Sequence, residues 1–580
     1  MIESDKPPRA APDRPAGGLR AMLSMSPLAA IMAAVLILLM LPAVIYLVQS
    51  SFYETKFDGS FGAFTFRHYV ELFTNDRFLK NLVNATIYAS GSAAVAIFLG
   101  VVQAWIVERT NTPGRSFVLI ISIISLGVPS VLYTISFLFL LGKTGPLNQL
   151  LMWMTGSATP VFNIYSLWGM IVIEGIEFAP LSFLLLSSVF RSNDAAFEEA
   201  SMMSGAGIVT TFRRITLRLA LPGVLALLIL IFIRAFESFE TPALVGRPGG
   251  VNVLTTDIYA AIQVEIPANY GQAGAFSVML LLIVVVLLYW YGQLSRHAEK
   301  FQTITGKGFR PRVMDLGRWR WLTAGILVLM FFVIIGFPVG IVFWVSLVPY
   351  YDGVHMAALK LMSFAHYGTV FTSNMFQGSL ANTLILGAAS ASIVAPFTAL
   401  CAWFAVRRQK GGAVLDQLAS LPLIFPAIVM GVAYLQVFLH MPILYGTLLA
   451  IIIASSVRYL PYGMRYSYAG ILQIHKELEE ASALSGARQA TTFLRIVMPL
   501  VAPAMVTCWL FVFLVAVKAV SVPILLAGPN SQVVAVTIFD LWQNGVIGEL
   551  SAMGIIWTLM MTTVSVGFSL LARRYGLNVR

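Results

Sequence analysis

Glu177, Arg234, Glu237, Glu240, Arg458 and Lys518 lie within or at the ends of long apolar runs. Ionisable groups are costly in such surroundings, so each is a functional candidate. A carboxylate there can hold a hard cation, carry a proton or pair with a base. Glu237 and Glu240 are hard oxygen donors, which suit a hard cation, but two acids fall short of a coordination set. They serve equally well to steer or repel a docking protein. The chain contains an internal repeat, and a shift of 281 positions sets Glu177 on Arg458 and Glu237 on Lys518. Equivalent positions face each other across a twofold axis, so one or both acid–base pairs are expected to meet between the halves. The competing expectation is pairing within one half, for instance of Glu177 or Glu237 with Arg234. A rival use, as the ion-coupling carboxylate of a secondary transporter, falls to Glu174 or Glu177.

The repeat is clearest in two polar stretches. Residues 198–222 read EEASMMSGAGIVTTFRRITLRLALP, and residues 479–503 read EEASALSGARQATTFLRIVMPLVAP. The shift places Glu199 on Glu480, Ala200 on Ala481, Gly205 on Gly486 and Arg214 on Arg495. A polar, helix-forming segment repeated between oily runs decides the architecture. Asn193 and Asp194 are suited to cap a helix start. The glutamates fall in the first turns, where the helix dipole favours negative charge. Gly205 and Gly486 supply the turn after a short helix. A second helix then leads through Arg214 or Arg495 into the next apolar run.

This pattern resembles the loop signature of inner-membrane permeases of binding-protein-dependent ATP-binding-cassette importers: Glu-Ala-Ala, three residues, Gly, nine residues, Ile-x-Leu-Pro. The second copy follows it through Ile496, Met498 and Pro499. The first departs at its end, with Arg218 in the proline position and Pro222 four residues on. The stretch FESFETPALVGRPGGVNVLTTDIY, with Glu237, Glu240, Pro242, Gly246 and Thr256, is similar to the fused permeases of iron(III)-type importers. Its counterpart, VKAVSVPILLAGPNSQVVAVTIF, keeps Pro523 but loses both acids. The resemblance implies that each loop is a coupling helix for a cytoplasmic ATPase, carried by Glu199, Ala200, Gly205, Arg214, Glu480, Ala481, Gly486 and Arg495. It implies two copies of that ATPase, a periplasmic substrate-binding protein, and ferric iron or a similar small solute as cargo. Polyamine, thiamine, phosphonate and sulfate permeases share the plan, and selectivity can rest with the binding protein.

The elements that position these residues are membrane spans. Of 580 residues, 58% are hydrophobic and 11% charged, which excludes a soluble globular protein and a disordered one. Apolar cores at 28–49, 84–107, 117–141, 164–190, 220–236, 273–292, 321–346, 382–405, 418–439, 443–464, 500–520 and 551–572 predict twelve helices. Pro129, Pro180, Pro426 and Pro461 predict kinks, and residues 143–160 leave room for a small interfacial helix. The expected fold is an all-α polytopic membrane protein of two homologous six-helix halves, related by a pseudo-twofold axis along the membrane normal. The expected division is a tail over 1–27, one half over 28–292, a basic linker over 293–320 suited to anionic lipid, and a second half over 321–580.

With the amino terminus inside, inward segments carry 27 of the 37 Lys and Arg and outward loops carry 7. That bias puts both termini and both repeated loops in the cytoplasm of a cell bounded by an inner membrane. It also explains the net charge of +11 without nucleic acid. No phosphate loop is present: Gly142-Lys143-Thr144 ends like one, but Phe137 occupies its first glycine position. Neither His-Glu-x-x-His, nor a cysteine-pair cluster, nor a Gly-x-Ser-x-Gly elbow occurs. No catalytic residue, cofactor site or metal site is expected, and the chain is expected not to be an enzyme.

Overall fold

A computed structural model describes residues 25–56, 59–125, 127–299 and 313–574. The expected tail up to residue 24 and linker residues 300–312 lie outside that set. The chain is all-α and polytopic. Its described strands are Tyr53–Thr55 and Phe61–Phe64, a small antiparallel hairpin that the apolar pattern did not foretell. Ten helices among the described residues are long and apolar enough to cross a membrane, or eleven if one bent pair counts as a single span. Twelve were expected. The difference is Leu448–Leu472, which is 25 residues long but whose apolar character is diluted by Arg458, Arg465 and several tyrosines.

The prolines divide into two kinds. Pro129 sits at the break between Arg115–Ser125 and Ser130–Leu141. Pro426 sits at a bend of 104° between Gly412–Ile424 and Ala427–Leu439. Pro180 and Pro461, by contrast, lie inside the continuous helices Leu167–Ser192 and Leu448–Leu472. A proline interrupts only one rung of a helix, and neighbouring helices can hold the segment together. The polar piece after Leu141 does contain a helix, Pro146–Thr155, closed by Gly156 in the left-handed region.

The chain forms two compact units that cut across the sequence halves. Among the described residues, one comprises 25–42, 391–423 and 459–512; the other comprises 43–390, 424–458 and 513–574. In the larger, the helix that opens the second half, which begins at Trp319, packs on first-half helices: Tyr133 Oη donates to the Ile334 carbonyl at 3.0 Å. In the smaller, the start of Pro27–Phe52 lies on second-half residues, where a Cβ on Gly411 would come within 3.0 Å of Ala29 Cβ. The opening helix of each half therefore leans on the other half's sequence.

One helix crossing shows how the repeat tolerates drift. In the larger unit, helices Asp76–Arg109 and Leu167–Ser192 close on each other at Gly100, where a Cβ would sit 2.7 Å from Ser182 Cβ. In the smaller, helices Asn374–Val406 and Leu448–Leu472 close at Gly463, where a Cβ would sit 2.7 Å from Thr398 Oγ1. Ser182 and Gly463 are repeat-equivalent, so the glycine has changed sides while the close approach is kept. Small residues at such crossings let backbones pack without a hydrophobic driving force.

Candidate functional site

The first repeated loop is built on the ends of two spans. Arg109 closes helix Asp76–Arg109 and is 1% exposed. Its Nη2 donates to the carbonyls of Phe190 and Asn193 at 2.6 and 2.8 Å. A helix leaves its last carbonyls without internal partners, and a cation there satisfies them. The Arg109 Nε lies 3.6 Å from Oε1 of Glu198, in the first turn of helix Ala196–Met203. Glu198 Oε1 also accepts a 2.7 Å bond from Thr216. Burial pushes the Glu198 carboxyl above its usual range, while Thr216 and Arg109 pull it back. Asp194 accepts from the Ala196 N–H at 2.9 Å from one residue outside the capping position, which Ala195 takes without a side-chain bond. Asn193 does not cap; it gives its carbonyl to Arg109.

Past the short helix, Ala206 N–H donates to the Ser201 carbonyl at 3.1 Å, with Gly205 at φ +84°. That left-handed closure needs glycine. Ser201 and Thr211 hydroxyls meet at 3.0 Å, and the Phe212 ring packs on Trp105 at 5.0 Å. A π-helical turn, Phe212–Thr216, then enters the span Leu217–Phe236.

The second loop repeats the plan. Arg407 Nη2 donates to the Ile474 carbonyl at 2.9 Å, and its Nε to Glu479 Oε1 at 2.7 Å. Ser482 and Thr492 meet at 2.9 Å, Gly486 has φ +78°, and Phe493 packs on Trp403 at 5.1 Å. The π-helical turn Phe493–Val497 follows. Here the Trp403 indole N–H also donates to Glu479 Oε2 at 2.9 Å.

Each loop turns a charged anchor inward and an apolar pair outward. Phe197 and Met203 are 51% and 89% exposed; their equivalents Leu478 and Leu484 are 48% and 91% exposed. Of the residues singled out from the sequence, Ala200, Gly205, Arg214, Glu480, Ala481, Gly486 and Arg495 lie on the exposed side, and Glu199 is half-buried. Glu480 pairs with Lys476 at 2.9 Å. The first acid of each Glu-Glu pair is the anchor. Glu198, Glu479, Arg109, Arg407, Trp105 and Trp403 were overlooked, as were the four exposed apolar residues. The signal was available: both second spans end in Trp-x-x-x-Arg, and the shift of 281 superposes Glu198 on Glu479.

Residues 96–300 and 394–580 each match the family described as the binding-protein-dependent transport system inner membrane component. The chain belongs to that family. It is a fused permease, carrying the family domain twice, and the secondary-transporter alternative falls away. Permeases of this kind are non-catalytic, multi-pass inner-membrane subunits of ATP-binding-cassette importers. The permease is 28% identical over 509 residues to the ferric transport system permease protein FbpB of Actinobacillus pleuropneumoniae, covering 86% of this chain and 71% of that one. It is 28% identical over 515 residues to a putative ferric transport system permease, FbpB 1, of Haemophilus influenzae, covering 86% and 78%. A putative 2-aminoethylphosphonate transport system permease, PhnU, of Salmonella choleraesuis is 29% identical over 231 residues, covering 40% of this chain and 77% of that one.

Of the two arrangements expected for the intramembrane charges of the permease, Glu237 shows pairing within one half. Glu237 Oε1 takes Arg234 Nη1 at 3.0 Å within its own half. Arg458 Nη1 donates to the Phe425 carbonyl at 3.1 Å, at the proline bend, where a carbonyl lacks its helical donor. Lys518 lies within electrostatic range of Glu177 and Glu240. The repeat-equivalent pair that does meet is Glu240 and Ser521, 281 positions apart, with Ser521 Oγ donating to Glu240 Oε1 at 3.0 Å. Beside it Thr134 and Thr241 hydroxyls meet at 3.0 Å. Glu240 and Ser521 meet across the sequence halves, while Glu237 and Arg458 find partners within their own. Among the described residues, no group of three or more His, Cys, Asp or Glu could hold a metal ion.

Proposed function

We propose that this permease is the membrane channel of a ferric-iron importer, driven by two copies of a cytoplasmic ATPase and loaded by a periplasmic binding protein. The observation that carries the coupling role is the pair of loops with one construction: an inward Arg–Glu anchor, a left-handed glycine and an exposed apolar pair at equivalent positions. Exposed apolar residues in a fixed arrangement are what a protein partner needs. Glu199 and Arg214 in one loop, and Glu480 and Arg495 in the other, contribute the polar rim, and the small residues Ala200, Gly205, Ala481 and Gly486 leave room for the partner's approach. The bias of Lys and Arg supports both loops and both termini on the cytoplasmic side.

The mechanism follows from the anchors. Closure of the ATPase dimer displaces each loop, and the Arg109 and Arg407 anchors pass that displacement to the ends of the spans as rigid-body motion. The pathway runs past Glu240, Ser521, Glu177 and Lys518. One carboxylate-rich side attracts a hard cation, and the absence of a three-ligand cluster among the described residues keeps the ion from being trapped. Iron is favoured as cargo by relatives named for ferric transport that align over most of the chain, whereas the phosphonate relative aligns over less than half.

Tagged permease expressed with its co-encoded partners should bring down two ATPase copies per chain, and vesicles should take up ferric iron only with the binding protein and ATP. Gly205→Asp with Gly486→Asp should abolish uptake while leaving the spans intact. Undiminished uptake by that double variant ends the coupling role, and uptake of phosphonate in place of iron ends the cargo assignment.

A further inference from the structure

The end of the linker is tied to the base of the first loop. Met314 N–H donates to the Arg109 carbonyl at 2.8 Å, and Asn111 N–H donates to the Met314 carbonyl at 3.2 Å, making a short parallel bridge. The Asn111 side chain latches it from both ends: its amide donates to Asp315 Oδ1 at 2.6 Å, and its carbonyl oxygen accepts from Leu316 N–H at 3.1 Å. Gly317 N–H also reaches Asp315 Oδ1, at 2.9 Å. The Gly317 N–H and the Asn111 amide hold the Asp315 carboxyl below its usual range. Met314 and Leu316 side chains are buried. A second tie follows at once, where Thr112 and Thr323 hydroxyls meet at 2.7 Å.

The bridge lands on Arg109, whose guanidinium holds Phe190, Asn193 and Glu198. A path thus runs from the linker through the Arg109 backbone to its side chain, by hydrogen bonds to the Phe190 and Asn193 carbonyls and by the 3.6 Å ion pair to Glu198 of helix Ala196–Met203. Among the described residues, the corresponding turn of the second loop is met by one longer bond between backbones, from Ser26 N–H to the Lys410 carbonyl at 3.4 Å.

We propose that residues 313–317 are a strap, latched by Asn111, that positions the first coupling loop and leaves the second alone. Asn111 is a positioning residue: it acts through the bridge to Arg109. The strap makes the fused chain asymmetric, because only one of its two loops is fixed by the segment joining the halves. This inference rests on reading the loops as coupling elements only where it speaks of transport.

Backbone hydrogen exchange of the full chain in lipid nanodiscs tests the positioning itself. Asn111→Ala removes two bonds to the strap and should speed exchange over residues 196–211 about fivefold or more, leaving residues 477–492 unchanged. Asn111→Asp with Asp315→Asn interchanges the amide and the carboxylate and should restore slow exchange. In the complete transporter, Asn111→Ala should lower the binding-protein stimulation of ATPase by a similar factor, with recovery in the interchanged pair. Unchanged exchange over 196–211, or equal acceleration in both loops, overturns the strap even if Gly205→Asp uncouples transport. Accelerated exchange confined to the first loop upholds it even if Gly205→Asp leaves transport intact, in which case the coupling role is what fails.

Discussion

The two repeated loops use the same parts, yet their anchors are not equally complete. In the second, Glu479 receives the Arg407 Nε at 2.7 Å and the Trp403 indole at 2.9 Å, so both carboxylate oxygens are engaged. In the first, Glu198 has turned towards Thr216, and Arg109 Nε stands 3.6 Å away. The Trp105 indole N–H, Arg109 Nε and Nη1 and the Asn193 amide are buried there without a protein hydrogen-bond partner. Position 497, the equivalent of Thr216, is Val497, which offers Glu479 no competing hydroxyl. One hydroxyl therefore divides a tight anchor from a loose one. The tight loop gains stiffness from its own carboxylate, while the loose one depends more on what surrounds it, including the strap.

The largest test of that contrast removes each carboxylate. Glu479→Ala strands a mostly buried Arg407 and Trp403 together, which should destabilise the second loop by about 3 kcal/mol. Glu198→Ala removes a loose ion pair and one hydroxyl bond and should cost about 1 kcal/mol. Hydrogen exchange in each loop, read against wild type, measures both. Equal losses would dissolve the distinction.

The tryptophans sharpen it. Trp403→Phe deletes an indole bond to a carboxylate and should cost about 2 kcal/mol. Trp105→Phe deletes a buried donor with no partner and keeps the ring against Phe212, so its effect should be near zero or slightly stabilising. Thermal unfolding of the nanodisc-held permease would order the two. A greater loss at Trp105 would mean that its indole does find a partner.

The glycines should show no contrast. At both Gly205 and Gly486 an added Cβ meets nothing within 4 Å, so only the positive φ resists substitution. Gly205→Ala and Gly486→Ala should each cost about 1 kcal/mol. A difference between them would locate strain outside the anchors, since the turns are otherwise alike.

What the sequence made legible follows from these differences. The duplication, the all-α spans, the short helix after Asp194 and the left-handed glycines were all readable, because period, capping and glycine chemistry are local. The swapped opening helices were not, because apolar runs 28–49 and 321–346 carry no mark of which neighbour they will choose. The charge pairs were half readable. The shift of 281 located Glu237 and Lys518, but Arg234, three residues from Glu237, is simply nearer. The Glu198 and Glu479 anchors were missed because the Glu-Glu pair offers two acids one residue apart, and only burial tells which points inward. The Trp-x-x-x-Arg ending, met twice, was the clue to their partners.

The smallest expected effect concerns protons at Glu198. Burial raises this carboxyl above its unfolded value, so the folded loop binds a proton more readily than the unfolded one. Between those two values the folded state holds more protons, and stability falls as pH rises through the window. Ionised Glu198 thus works against its own loop, as a carboxylate short of donors should. Protection of residues 196–211, taken relative to the base-catalysed intrinsic exchange rate, is expected to fall as pH rises from the usual glutamate range towards neutrality, and Glu198→Gln should flatten that dependence. Asp194, at the start of the same helix, supplies the internal contrast: Asp194→Asn keeps the acceptor for Ala196 and should leave the dependence in place. If the dependence survives Glu198→Gln, the looseness of the first anchor does not reside in its carboxylate, and the comparison with Glu479 loses its physical basis.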